Sequence, residues 1–332
     1  MTTPEPPPQP SDGSVIDVRP IASSDDLAAA ATWLEGAEAA AGIPLVDEAE
    51  RDRLTRATDG ARPRDWQAFL LGANDQPVGY AAVALPLGDV DHVAGDLAVA
   101  TDHPQLAPAT IRSQGLIALR AAAHELAPER RSVQVWMRHV HDRHLADLDA
   151  DGFEVARRLG ILGRDLGDRV VVPTVDGVTV RPYRSDQDDA AVVDVLAQAY
   201  AGTGDGGWTV ERFAGKRELA WFRAEDLLLA DASDPDEAQA AGPGHRILGL
   251  HWLKRRGEGV GEVYNLAIHP AGQGRGVGAL LLAAGLAHLR EVGCHDVLLW
   301  VDRSNERAVE LYTSRGFTTR WDDVALEAPL AG

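Results

Sequence analysis

Residues 268–278 read Ile-His-Pro-Ala-Gly-Gln-Gly-Arg-Gly-Val-Gly, and the apolar periodicity from Val277 to Glu291 predicts a helix that starts inside the same segment. Before it, Gly261 to His269 alternates as a strand and stops at Pro270. Glycines at 274, 276 and 278 let the backbone wrap closely around a ligand, and a helix opening there aims its free N–H groups and positive dipole end at the same point. Strand, glycines, Arg275 and helix start together describe a phosphate cradle better than a plain connecting loop. A Rossmann dinucleotide loop has similar glycine spacing. It fits worse here, because the strand is the fourth of its repeat and ends in proline, and no ribose-binding acid follows.

Working outward, the second half of the chain has strands at 178–180, 226–232, 246–254, 261–269, 296–301 and from 317, and helices at 188–200, 209–222, 277–291 and 305–314. The order βααβββαβαβ predicts an α/β architecture, a mixed and mostly antiparallel sheet flanked by helices. The first half repeats its landmarks. Val18-Arg19-Pro20 before an acidic SSDD matches Val180-Arg181-Pro182 before SDQDD, and Asp151-Gly152-Phe153 matches Arg315-Gly316-Phe317. Two tandem copies are expected, at 15–170 and 176–328. The proline-rich residues 1–14 have no apolar core for a signal peptide and are expected to be disordered.

Composition narrows the function. The 332 residues are 45% hydrophobic and 25% charged, ordinary for a soluble globular protein of two domains. A net charge of −19 repels a phosphate backbone, so neither nucleic acid nor membrane is an expected partner. The single cysteine, Cys294, excludes an internal disulfide and any cysteine-built zinc site, and it fits a reducing cytoplasm. No metal is expected.

At this point Gln273-Gly-Arg-Gly-Val-Gly278 resembles the pyrophosphate loop of the GCN5-related N-acetyltransferases, and Asn305, Ala308, Tyr312 and Gly316-Phe317 fall in that superfamily's downstream pattern. Gly206-Gly-Trp-Thr209, Gly249 to Lys254, Gly261 to Tyr264 and Gly316 to Thr319 are similar to stretches of the mycothiol synthase family, tandem acetyltransferases of matching length. The resemblance implies a monomer that transfers acetyl from acetyl-CoA, its co-substrate, to the cysteinyl amine of cysteinyl-glucosaminyl-inositol. Alternatives are another small amine, a protein amino terminus, or a non-catalytic acetyl-CoA sensor.

The resemblance also assigns residues. An ammonium must lose a proton before it attacks, and Glu262 is the expected base. Backbone N–H groups along Leu266, Ala267 and Ile268 would stabilise the oxyanion and hold the pantetheine arm. A thiolate leaves, and the phenol of Tyr312 would protonate it. The CoA diphosphate would lie on Gln273, Gly274, Arg275, Gly276, Val277, Gly278 and Ala279. Asn305, Glu306, Arg307, Ala308, Val309 and Glu310 would line the CoA side. Acceptor contacts fall to Lys254, Asp205 and Trp300, and from the first copy to Glu48, or Asp47 if the register differs by one.

Three departures stand out. Trp300 occupies a position where the family commonly has tyrosine, so an acceptor oxygen is lost. Glu310 is acidic where a basic residue is common. In the first copy, residues 100–110 (ATDHPQLAPAT) lack both the arginine and the glycine run, and Asp102 would repel phosphate. That copy is expected to bind CoA poorly or not at all.

Overall fold

Each half of the sequence spends its apolar residues on both faces of a sheet, and helices cover those faces. The computed structural model describes residues 16–86, 90–141, 151–167, 169–202, 206–232 and 247–330. The expected disordered tail lies outside them. Contacts divide the chain into two units, Met1–Leu159 with Trp321–Gly332, and Gly160–Arg320.

In the first unit the chain runs β1 (Asp17–Pro20), α1 (Ser24–Ala41), α2 (Glu48–Thr58), β2 (Trp66–Ala73), β3 (Gln76–Ala84), β4 (His92–Val99), α3 (Pro108–Leu126), β5 (Ser132–Val140) and the first half of β6 (Glu154–Asp165). Its strand order is β1-β2-β3-β4-β5-β12, where β12 (Thr318–Pro329) comes from the far end of the chain. The pairs are antiparallel except β4 with β5. Ser23 and Asp26 form a reciprocal capping box at the start of α1, and the Asp47 side chain caps α2. One face buries Leu34, Leu54, Trp66 and Tyr80 under α1 and α2, and the other buries Leu97, Ile111, Leu116 and Val135 under α3.

The second unit begins within β6 at Gly160 and continues through β7 (Val178–Pro182), α4 (Asp189–Ala199), α5 (Val210–Arg217), β8 (Leu227–Ala232), β9 (Ile247–Arg255), β10 (Val260–Ile268), α6 (Val277–Glu291), β11 (Asp296–Asp302) and α7 (Glu306–Thr313). Its strand order is β6-β11-β10-β9-β8-β7. The pairs β7-β8, β8-β9 and β9-β10 are antiparallel, and β10-β11 is parallel. Leu281, Leu286, Leu299 and Cys294 belong to the core beneath α6, and Val192, Phe213 and Trp252 to the core beneath α4 and α5. Burial pushes the Cys294 thiol above its ordinary value, as befits a core residue.

Two expectations change. The helix read as 209–222 ends at Arg217, because Trp221 and Phe222 leave it to pack on Trp252 at 5.8 Å each. The domain boundary expected at 170–176 is replaced by an exchange of closing strands. The end of the first repeat completes the second unit's sheet, and the residues from Trp321 complete the first unit's.

Candidate active site

Strand β10 carries the decisive irregularity. Glu262 pairs with Lys254 and Val263 with Leu253 on β9, but Asn265 pairs with Trp252, so Tyr264 is an extra residue that bulges the strand. On the opposite edge the parallel pairing with β11 runs from Val260↔Asp296 to Val263↔Leu299. Beyond that point the two strands splay. The His269 N–H bonds the Leu248 carbonyl on the β9 side at 3.0 Å. Strand alternation therefore points the backbone of Leu266 and Ile268 into the splay, whereas that of Ala267 faces β9.

The splay leads into the glycine loop. His269 fixes its start, since its Nδ1 accepts from Ala271 N–H at 3.2 Å and its carbonyl from Gly272 N–H at 2.8 Å. Gly276 is the N-cap of α6 at φ 83°, left-handed backbone that costs an L-residue about 1 kcal/mol or more, and no side chain caps the helix. A Cβ on Gly278 would meet Ile268 only at 3.7 Å, so sterics within the fold do not demand glycine there, and its absence leaves room for a ligand. Beside this helix start lies a cavity of about 510 Å³ lined by Pro173 to Asp176, Arg275, Gly276, Ala279 and Arg315. Uncapped N–H groups, two guanidiniums and missing side-chain bulk suit a diphosphate. Asp176 is the one carboxylate in that lining, a local cost against the two cations.

Asn305 caps α7, its Oδ1 accepting from Ala308 N–H at 3.1 Å. Ala308 and Val309 pack onto the core, while Glu306, Arg307 and Glu310 are exposed. Tyr312 is buried, edge-on to Phe317 at 5.7 Å. Burial pushes its phenol well above the ordinary range, so it stays protonated.

On the other side of the sheet Lys254 and Glu262 are cross-strand partners. Glu262 is 7% exposed, and its Oε2 accepts from Arg256 Nε at 2.8 Å. The Arg256 guanidinium lies 4.9 Å over the ring of Trp300, and the Lys254 ammonium 4.7 Å over that of Trp221. Trp221, Trp252 and Tyr264 pack with ring centroids 4.8 to 5.8 Å apart, and Lys216 sits 6.0 Å over Tyr264. The result is an aromatic floor with three cations and one carboxylate, chemistry suited to stacking on and hydrogen-bonding a polyhydroxylated acceptor.

The structure thus brings Glu262, Lys254, Trp300 and the β10 backbone into one unit with the glycine loop. Glu48 and Asp47 lie in the first unit on the first turn of α2, where Glu48 is exposed. Asp205 lies outside the described residues. Arg256, Arg315 and the Trp221–Tyr264 floor were not anticipated from sequence; the basic run Lys254-Arg255-Arg256 in so acidic a chain was the available signal. The first unit repeats the splay, with β4 and β5 pairing only as far as Asp96↔Trp136. Its cavity of about 900 Å³ has Asp102 and His103 in the lining where the second unit has glycine and arginine. Among the described residues no group of three or more His, Cys, Asp or Glu is placed to hold a metal ion, and no helix is long and apolar enough to cross a membrane.

A bulged strand splayed from its parallel neighbour and running into a glycine loop at an uncapped helix defines an N-acetyltransferase of the GCN5-related class. Residues 208–317 match the Acetyltransferase (GNAT) family. The fold is that of the GCN5-related N-acetyltransferase from Sphaerobacter thermophilus, with a TM-score of 0.67 at 20% identity over 95% of this chain and 96% of that one. A tandem GNAT protein from the clavulanic acid biosynthesis pathway gives 0.61 at 15% identity over 96% and 99%. The mycothiol acetyltransferase of Nocardioides sp. is 33% identical over 297 residues, 85% of this chain and 96% of the relative. That of Actinosynnema mirum is 35% identical over 294 residues, 87% and 90% of the two chains. The chain belongs to the mycothiol acetyltransferase family.

Proposed function

We propose that the chain transfers the acetyl group of acetyl-CoA to the cysteinyl amine of 1D-myo-inositol 2-(L-cysteinylamino)-2-deoxy-glucopyranoside, forming mycothiol, and that the second unit performs the chemistry. The observation that carries the proposal is the continuity, within that unit, of Glu262, the splayed β10 and the uncapped start of α6. The loop from Gln273 to Ala279 with Arg275 and Arg315 holds the diphosphate of acetyl-CoA. The α7 face opened by Asn305 borders it.

Leu266 and Ile268 offer backbone N–H groups in the splay, where they orient the pantetheine arm and stabilise negative charge on the thioester oxygen as the amine attacks. Glu262 takes the proton from the acceptor ammonium, directly or through a water. Lys254, Trp300 and the aromatic floor hold the sugar and inositol part of the acceptor. Tyr312, kept neutral by burial, gives the departing thiolate its proton and regains one from the second N–H proton that the nitrogen loses as the amide forms. The protein works as a cytoplasmic monomer, and its unpaired, buried Cys294 suits a reducing compartment.

Glu262→Gln tests the base. It removes proton acceptance at nearly constant volume, so kcat should fall by about 10²–10⁴ with the acetyl-CoA KM unchanged. Steady-state kinetics at saturating acceptor read the difference, and a wild-type kcat would remove Glu262 from that role.

A further inference from the structure

Arg256 adds a part to this reaction, on the reading that Glu262 is its base. Three adjacent cations, Lys254, Arg255 and Arg256, end β9 and enter the turn to β10. Alternation sends Arg255 to the opposite face, where its Nη2 bonds Asp226 at 2.6 Å. Lys254 goes to Trp221. Arg256 alone grips Glu262, through Nε to Oε2 at 2.8 Å, while its guanidinium carbon lies 4.9 Å over Trp300. Its backbone N–H bonds the Val260 carbonyl at 2.8 Å, which anchors the residue in the hairpin turn.

A buried carboxylate needs a hydrogen-bond partner, and a base needs a fixed direction toward its substrate. A guanidinium meets both needs at once. It donates the bond, and its plane, laid on an indole face, fixes the direction from which it donates. A single bond to Oε2 leaves lone pairs on Oε1 for the acceptor. We propose that Arg256, clamped on Trp300, is a positioning residue that holds the Glu262 carboxylate turned toward the acceptor, and that Trp300 serves as its platform.

The test compares Arg256→Gln, Arg256→Lys and Glu262→Gln in the full chain, following CoA release while acetyl-CoA and the cysteinyl pseudodisaccharide are each varied. Arg256→Gln should lower kcat by about 10- to 100-fold with the acetyl-CoA KM unchanged. Arg256→Lys keeps a cation but loses the stacked plane, so kcat should stay low there too. A merely structural role would not split kcat from the acetyl-CoA KM in this way. A wild-type kcat in Arg256→Gln, with Glu262→Gln inactive, would overturn the positioning role alone. Wild-type turnover in Glu262→Gln would overturn the base assignment beneath it.

Discussion

Glu50 and Glu262 are both buried carboxylates, and their partners differ. Glu262 has a guanidinium on one oxygen. Glu50, 2% exposed, accepts from Tyr80 Oη at 2.5 Å and Trp66 Nε1 at 2.9 Å, while Arg53 reaches it only at 3.4 Å. Burial outweighs these hydrogen bonds and, with the nearby Asp96 charge adding to it, pushes Glu50 up to about 7. An acid raised in the folded state binds its proton more tightly there than in the unfolded chain. Its contribution to stability is therefore full below the ordinary value of 4.5 and is lost as pH rises through 7. Glu50→Gln keeps a neutral acceptor for both donors and should stabilise the first unit by on the order of 1–2 kcal/mol at pH 8, with little effect at pH 4. Denaturant unfolding at both pH values checks this; equal effects at the two would contradict it. At this scale the sequence was partly legible. Glu262 was singled out by the stretch Gly261 to Tyr264 that resembles the acetyltransferase family, on the strand leading into the glycine loop. Its partner Arg256 could not, because the pairing depends on hairpin register and on the direction each side chain takes.

The loop and helix start at residues 273–279 were legible as an element, since glycine spacing and helical periodicity are local properties of the chain. The bulge at Tyr264 was not located, because it exists only relative to the register of β9. The end of α5 was overread for a related reason. Helical periodicity continues to Phe222, but an aromatic core formed by distant residues competes for Trp221 and Phe222. If the α6 terminus holds diphosphate, Arg275→Ala removes a charge-assisted contact of about 1.5–3 kcal/mol and should raise the acetyl-CoA KM at least about tenfold. The kcat at saturation should stay near wild type, and an unchanged KM would contradict the assignment.

Across the whole molecule, matched landmarks revealed the tandem repeat, but the exchange of closing strands could not be seen. The short apolar run Val324-Ala325-Leu326 of β12 suits either sheet, and only tertiary packing selects one. The exchange makes the first unit depend on the last residues of the chain. Val324, Leu326 and Leu330 are buried in its core. Removing them forfeits roughly 1.5–3 kcal/mol each, comparable in sum to the stability of a typical domain. Deleting residues from Trp321 onward should therefore unfold the first unit, seen as rapid proteolysis within residues 16–140; protection equal to the full chain would contradict the exchange. The central claim is acetyl transfer to a cysteinyl amine by the second unit. Its most direct test is CoA release by the purified chain, measured side by side on cysteinyl-glucosaminyl-inositol, other small amines and amino-terminal peptides. The account predicts turnover with the cysteinyl pseudodisaccharide well above every other amine, formation of its N-acetyl product in step with CoA, and loss of both in Glu262→Gln. Preference for a peptide, or acetyl-CoA binding with no turnover on any amine, would contradict it.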